Sequence, residues 1–318
     1  MGQAADETKP GVGYYRGVIW EPGNKYAPRE IQSNGYSVDA QPWGINDGSY
    51  VVGQVENQKD AFLWQATSEQ WWTLRMGGTC AYAINIHGVI VGREYHSNTY
   101  DAILATEFFL NQKSKIMGNA SSDTESIAYG LNDSGQAVGR EQSPRTNNHI
   151  HACIWEKQGD DWVWQDINPG WPRSMAQAIN KNGEVTGWYL VDNIMRGFVW
   201  DKYKGMRTIP TPDKHETEGK AINADGHIVG KARWWISELE IDDFAFIWFH
   251  GMDGFIDLNA YMPENMRGVC KFKEAVGIND RLEIIVNGTR KYPPDKILNR
   301  AFLLRPKQVP GGPKGSPG

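Results

Sequence analysis

The 318-residue chain is 40% hydrophobic and 22% charged, a balance that gives a folded core and excludes a disordered polymer. Its 33 basic and 38 acidic residues leave a formal charge of -5 with no long run of one sign, which removes the electrostatic reason to expect nucleic acid or an anionic membrane as partner. Cys80, Cys153 and Cys270 lie too far apart for a CxxC pair and are too few for a disulfide framework, so free thiols are expected.

In chain order, residues 1–13 are polar and lack the apolar stretch of a secretion signal; they are expected to be disordered. With no apolar run near the roughly 18 residues of a membrane span, the expectation is a cytoplasmic protein, or a secreted one from which a signal peptide has been removed. Residues 17–20 (GVIW) and 29–31 read as the third and fourth strands of a unit that lacks its first half. From residue 44 a motif then recurs: GINDGSYVVG (44–53), AINIHGVIVG (83–92), GLNDSGQAVG (130–139), AINKNGEVTG (178–187), AINADGHIVG (221–230) and the eroded GINDRLEIIV (277–286). Its asparagines, Asn46, Asn85, Asn132, Asn180, Asn223 and Asn279, step by 39, 47, 48, 43 and 56 residues, a variation that only loops tolerate.

Each copy continues into an apolar third strand, AFLW (61–64), ACIW (152–155), GFVW (197–200), AFIW (245–248) or AFLL (301–304), and a short fourth strand such as WWTL (71–74) or FIDL (255–258). Asn-x-x-Gly suits a tight turn because Asn and Gly accept a left-handed backbone. No stretch keeps a 3.6-residue apolar period. The chain is therefore read as all-β, a β-propeller of six four-stranded blades spanning residues 14–306, closed by the N-terminal segment joining the last blade. Residues 307–318, rich in Pro, Gly and Lys, are expected to be a disordered tail.

The small-x-Ile-Asn-x-x-Gly-x-Val-x-Gly motif followed by Ala-Phe-Leu-Trp resembles the HAF-repeat β-propeller family, over about Tyr14 to Arg305. The resemblance implies the fold and is nearly silent on function. Members are often called extracellular, and this chain departs from that reputation by showing no secretion signal.

The scaffold positions repeat, whereas two sets beside them diverge. Two residues before each motif Ile/Leu stand Trp43, Tyr82, Tyr129, Gln177, Lys220 and Val276. After the closing Gly stand Gln54, Arg93, Arg140, Trp188 and Lys231, then Val55, Glu94, Glu141, Tyr189 and Ala232. A propeller with one equivalent site per blade would keep these residues alike. Divergence instead suggests one composite site at a channel mouth opposite the Asn-x-x-Gly turns. Arg93, Arg140, Tyr129 and Lys220 are the expected catalytic groups; Trp43, Tyr82, Gln177, Trp188, Gln54, Lys231 and Glu141 are the expected substrate contacts. The bland reading makes Arg93-Glu94 and Arg140-Glu141 solvated rim pairs and the tyrosines channel plugs.

His149, His151 and Cys153 alternate on one strand face, but no fourth ligand is evident, and histidines at a strand start leading into a buried Cys explain them. No Gly-x-Ser-x-Gly elbow, HExxH, Walker loop or dinucleotide fingerprint occurs, so neither metal nor cofactor is expected. These features suggest a small organic molecule with oxygen functions as partner, with neither nucleic acid nor membrane. The activity expected is that of a cofactor-free cyclase or pericyclase of secondary metabolism, by analogy with other propeller scaffolds. The alternative is a non-catalytic glycan- or protein-binding propeller, kept open by Trp71, Trp72, Trp234 and Trp235.

Overall fold

The structure is a computed structural model that describes residues 2–5, 15–20, 28–33, 36–37, 39–55, 60–74, 80–96, 99–105, 115–116, 125–159, 161–168, 170–212, 215–236, 241–293 and 296–306. Two compact units divide the chain, Met1–Thr208 and Ile209–Gly318. In the first, β1 (Gly2–Ala5), β2 (Tyr15–Trp20) and β3 (Pro28–Glu30) form one sheet, and β4 (Gln32–Ser33) pairs with β5 (Tyr36–Ser37).

Four antiparallel four-stranded sheets follow. The first has β6 (Ala40–Ile45), β7 (Tyr50–Val55), β8 (Asp60–Gln65) and β9 (Gln70–Leu74); the second has β10 (Cys80–Ile84), β11 (Ile90–His96), β12 (Thr99–Ala105) and β13 (Lys115–Ile116). The third holds β14 (Glu125–Leu131), β15 (Gln136–Gln142), β16 (Ile150–Gln158) and β17 (Asp161–Asp166); the fourth holds β18 (Ser174–Ile179), β19 (Val185–Val191), β20 (Ile194–Asp201) and β21 (Gly205–Thr208).

The second unit adds β22 (His215–Ile222), β23 (Ile228–Trp235), β24 (Ile241–Trp248) and β25 (Ile256–Asp257), then the three-stranded sheet β26 (Cys270–Ile278), β27 (Ile284–Tyr292) and β28 (Lys296–Leu304). Strands within each sheet follow chain order, and among the described residues helix is limited to short 3-10 turns. The chain is thus an all-β protein with a six-bladed β-propeller arrangement.

Two details of the expected closure differ. The sixth repeat sheet has three strands among the described residues. At the other end, β2 pairs with β3 as its sequence suggests, but its second edge is taken by β1, from a segment expected to be disordered. Both edges of β2 are therefore filled within its own sheet. An open edge leaves backbone N–H and C=O groups unpaired, and an extended segment nearby in sequence satisfies them at low loop cost. The 307–318 tail and most of residues 1–13 lie outside the described residues.

The hairpin motif has a further physical content. In each turn the left-handed residue is the one three places after the asparagine: Gly88, Gly135, Gly183 and Gly226, but Ser49 in the first copy and Leu282 in the sixth. The asparagine has another task. Its Oδ1 accepts the N–H four residues on, as from Val89 to Asn85 at 2.9 Å, while its Nδ2 donates to the backbone carbonyl of the next repeat's asparagine. That clip runs from Asn46 to Asn85 at 2.8 Å, Asn85 to Asn132 at 3.3 Å and Asn132 to Asn180 at 3.1 Å in the first unit, and from Asn223 to Asn279 at 3.3 Å in the second. One side chain thus satisfies its own turn and fastens the neighbouring sheet.

Apolar residues from facing sheets form the core. Val138, Ile154, Val185, Phe198 and Trp200 make one such layer in the first unit; Val229, Ile247, Phe272, Ile284 and Val286 make another in the second. The tryptophans that end the third strands, Trp64, Trp155, Trp200 and Trp248, are all buried. Burial of large aromatic faces, roughly 1.5 to 3 kcal/mol or more per side chain, explains their recurrence.

Candidate functional site

Every first strand of the repeat carries a β-bulge at one position. Register breaks between Pro42 and Gly44, Ala81 and Ala83, Ala128 and Gly130, and Ala176 and Ala178 in the first unit. In the second it breaks between Gly219 and Ala221, and again between Ala275 and Gly277, where the same strand has a further break between Phe272 and Glu274. The residues skipped at the shared position are Trp43, Tyr82, Tyr129, Gln177, Lys220 and Val276, the divergent set of the sequence. A bulge leaves one residue unpaired and re-aims its side chain, a device common beside functional sites. The motif's closing glycine belongs to the same construction: a Cβ at Gly139 would lie 1.9 Å from the carbonyl oxygen of Ile127, two residues before the bulge. No side chain fits there.

In the first unit three bulge residues form a continuous aromatic wall. The Trp43 and Tyr82 rings stand 6.0 Å apart and those of Tyr82 and Tyr129 stand 5.1 Å apart, in tilted pairs, with Trp43 about half exposed at 49%. The Arg93 guanidinium lies 5.9 Å from the Tyr82 ring and 4.3 Å from that of Tyr100. Arg140 pairs with Glu125. The Nε of each arginine is buried and has no hydrogen-bond partner among the described residues. Two cations at equivalent repeat positions therefore each keep one buried donor without a hydrogen-bond partner among the described residues.

The neighbouring acids stay protonated. Burial pushes the Tyr82 phenol up, the neighbouring Cys80 adds to the shift and Arg93 offsets only part of it; burial also raises Tyr129 against the pull of Arg140 and Arg93. Burial raises the Cys80 thiol to about 11, against its hydrogen bond with Tyr82 and the charge of Arg93. The site therefore offers neutral phenols as hydrogen-bond donors and carries no thiolate nucleophile there.

Other expected contacts are placed differently. Glu141 is fully buried and does not belong to the wall: adjacent strand residues face opposite ways, so an outward Arg140 sends Glu141 inward. There its Oε1 accepts from Ser143 Oγ at 2.7 Å, its Oε2 has no partner among the described residues, and burial raises its pKa. Trp188 is likewise buried, with Arg173 5.9 Å from its ring, and offers little surface. Gln54 and Gln177 are half-buried.

In the second unit Lys220 sits between Glu218 at 2.9 Å and Glu274 at 3.3 Å. Burial alone would lower its pKa, but the two carboxylates outweigh that and hold it above the usual lysine value. Lys231 bonds Asp243 at 2.8 Å, which also accepts from Arg233 at 2.8 Å. Both lysines thus hold acidic partners within their own unit, which weakens the case for Lys220 as a free catalytic cation.

His151 donates through Nδ1 to the Asp166 carboxylate at 2.7 Å, Cys153 is fully buried, and no group of three His, Cys, Asp or Glu among the described residues is arranged to hold a metal. The site residues missed from sequence are Tyr100 and Glu125. Both are diagonal cross-strand neighbours of the arginines they touch: Arg93 pairs with Ala102 and Arg140 with Ile127, each two residues from the partner. Hairpin register, once assigned, would have found them.

Fold and site together define a six-bladed β-propeller protein with an aromatic and arginine wall built on first-strand bulges. By sequence the chain belongs to the family described as Protein of unknown function (DUF3466), whose model matches residues 113–292. No curated protein matches the chain. Among solved structures, a prolyl endopeptidase is similar with a TM-score of 0.61 at 11% identity over 92% of this chain and 47% of that one. The chain therefore spans about half the length of that relative. The structure of putative TolB from Agrobacterium tumefaciens is similar with a TM-score of 0.54 at 10% identity over 76% of this chain and 86% of that one. Identities this low speak to the fold alone. Among the described residues no helix is long and apolar enough to cross a membrane.

Proposed function

We propose that the protein binds one flat, oxygen-bearing organic molecule against the wall of Trp43, Tyr82 and Tyr129 and acts on it as a cofactor-free cyclase or pericyclase. The observation that carries this reading is the pair of buried, unpartnered Nε–H donors of Arg93 and Arg140 beside tilted, protonated phenols. Rings supply flat apolar surface, and guanidinium and phenol donors suit an oxygen that gains negative charge. A cycloaddition converts three π bonds into one π and two σ bonds within one molecule, so it needs no oxidant, metal or acceptor. Holding the reacting ends together and donating to the developing oxyanion is then sufficient chemistry. The HAF-repeat resemblance belongs to this same proposal and adds no substrate.

The unlike bulge residues count against the lectin alternative, since repeated glycan sites need repeated lining. The test measures calorimetric binding of coumarin and 4-hydroxybenzoate, and cyclisation of a tethered diene–enone, in Arg93→Ala, Arg140→Ala, Tyr129→Phe and the turn control Lys181→Ala. Each wall change is expected to lower affinity or rate by roughly ten- to a thousandfold, with the control near wild type. Equal values in all four folded variants would contradict the assignment.

A further inference from the structure

The second unit contains a half-open cavity of about 760 Å³, in the size range of small-ligand pockets, lined by Pro210, Pro212, His215, Trp234, Phe244 and Phe255 together with three aspartates. We propose that this cavity is a binding site for an organic ammonium, distinct from the wall of the first unit. Its aromatic groups are mutually ordered. His215 stacks on Trp234 with centroids 5.6 Å apart and meets Phe244 and Phe255 edge-on at 5.9 and 6.0 Å. Trp234 itself is 43% exposed, so ring surface remains for a ligand.

The polar lining decides the ligand's chemistry. Asp242, Asp253 and Asp257 line the cavity, and no lysine or arginine does. Asp257 is engaged in accepting from Asn259, and Asp242 pairs with Lys271. Asp253 is exposed and has no partner among the described residues. The lining thus combines π faces with carboxylate acceptors; its side-chain donors are the His215 ring and the Trp234 indole N–H, since the Thr211 hydroxyl is already spent on the Ile209 carbonyl at 2.7 Å. A sugar presents several hydroxyl oxygens and calls for more donors than these two groups supply. An alkylated ammonium needs only ring faces and negative charge, both of which are present.

The experiment uses the full chain and choline as probe, with 3,3-dimethyl-1-butanol as its neutral isostere and galactose as the sugar arm, read by calorimetry and ligand-observed NMR. Choline is expected to bind saturably and the isostere to bind roughly tenfold more weakly, or worse. Trp234→Ala and the milder Asp253→Asn are each expected to weaken choline by roughly three- to thirtyfold, while Arg93→Ala leaves it unchanged. Absence of saturable choline binding, equal binding of the isostere, tighter binding of galactose, or indifference to both cavity variants would each overturn the assignment. Because Arg93 lies in the other unit, failure here is distinguishable from failure of the proposed function.

Discussion

Gly183 shows how much a single position of the repeat can demand. Its φ of +80° places it in the left-handed region, which costs a β-branched residue strain, so Gly183→Val is expected to lose about 1 to 3 kcal/mol in chemical denaturation. Leu282 fills the equivalent place at φ 59°, so Leu282→Gly is expected to gain up to about 1 kcal/mol. Matching stabilities in the Gly183→Val variant and wild type would show that the turn is not formed as described. Glu141 makes a pH prediction. Burial raises its folded pKa above 4.5, so the native state holds the proton more tightly than the unfolded chain does. Its contribution is therefore most favourable at low pH and declines as pH rises from the unfolded value through the raised native one. Glu141→Gln is expected to raise the melting temperature at about pH 7 and to change it little at about pH 4, as thermal melts would read. The turn glycines were legible in the sequence because four of the six copies place one three residues after the asparagine. The interior placement of Glu141 was not, because facing on a strand follows from register, and one residue of slip reverses it.

At the scale of the element, the hairpin is the unit that repeats and the asparagine clip is what joins one hairpin to the next. Asn132 is buried, accepts from Gln136 and donates to the Asn180 carbonyl. Asn132→Ala leaves those backbone groups unpaired in a buried place and is expected to cost about 1 to 3 kcal/mol, which a denaturant midpoint would measure. The sequence suggested that the asparagine side chain bonds its own loop, as Oδ1 does here; its second role, bridging two hairpins, involves a partner about 47 residues away and carries no local signature. The bulges were half legible. Small residues on either side of Tyr82 and Tyr129 marked a close approach, and divergence marked the position, yet the unpaired register itself appears only in the ladder. Strand β1 escaped notice because its Gly-Gln-Ala-Ala run has neither alternation nor β-branched residues to announce it.

At the scale of the molecule, six motif copies made the propeller class readable, since no other architecture accommodates four short strands repeated at this period. What the repeat leaves open is where it diverges, and there the account places ligand chemistry on the bulges of the first unit. Ligand binding there is expected to survive exhaustive chelation, and restoration by a divalent ion after EDTA would point back to the His149, His151 and Cys153 strand. The most direct measurement is the stoichiometry of coumarin binding by isothermal titration, in wild type and in Tyr129→Phe and Arg140→Ala. The account predicts about one ligand per chain and, in both variants, affinity lower by roughly tenfold or more. Several equivalent ligands per chain, or one ligand held equally well by all three proteins, would contradict it.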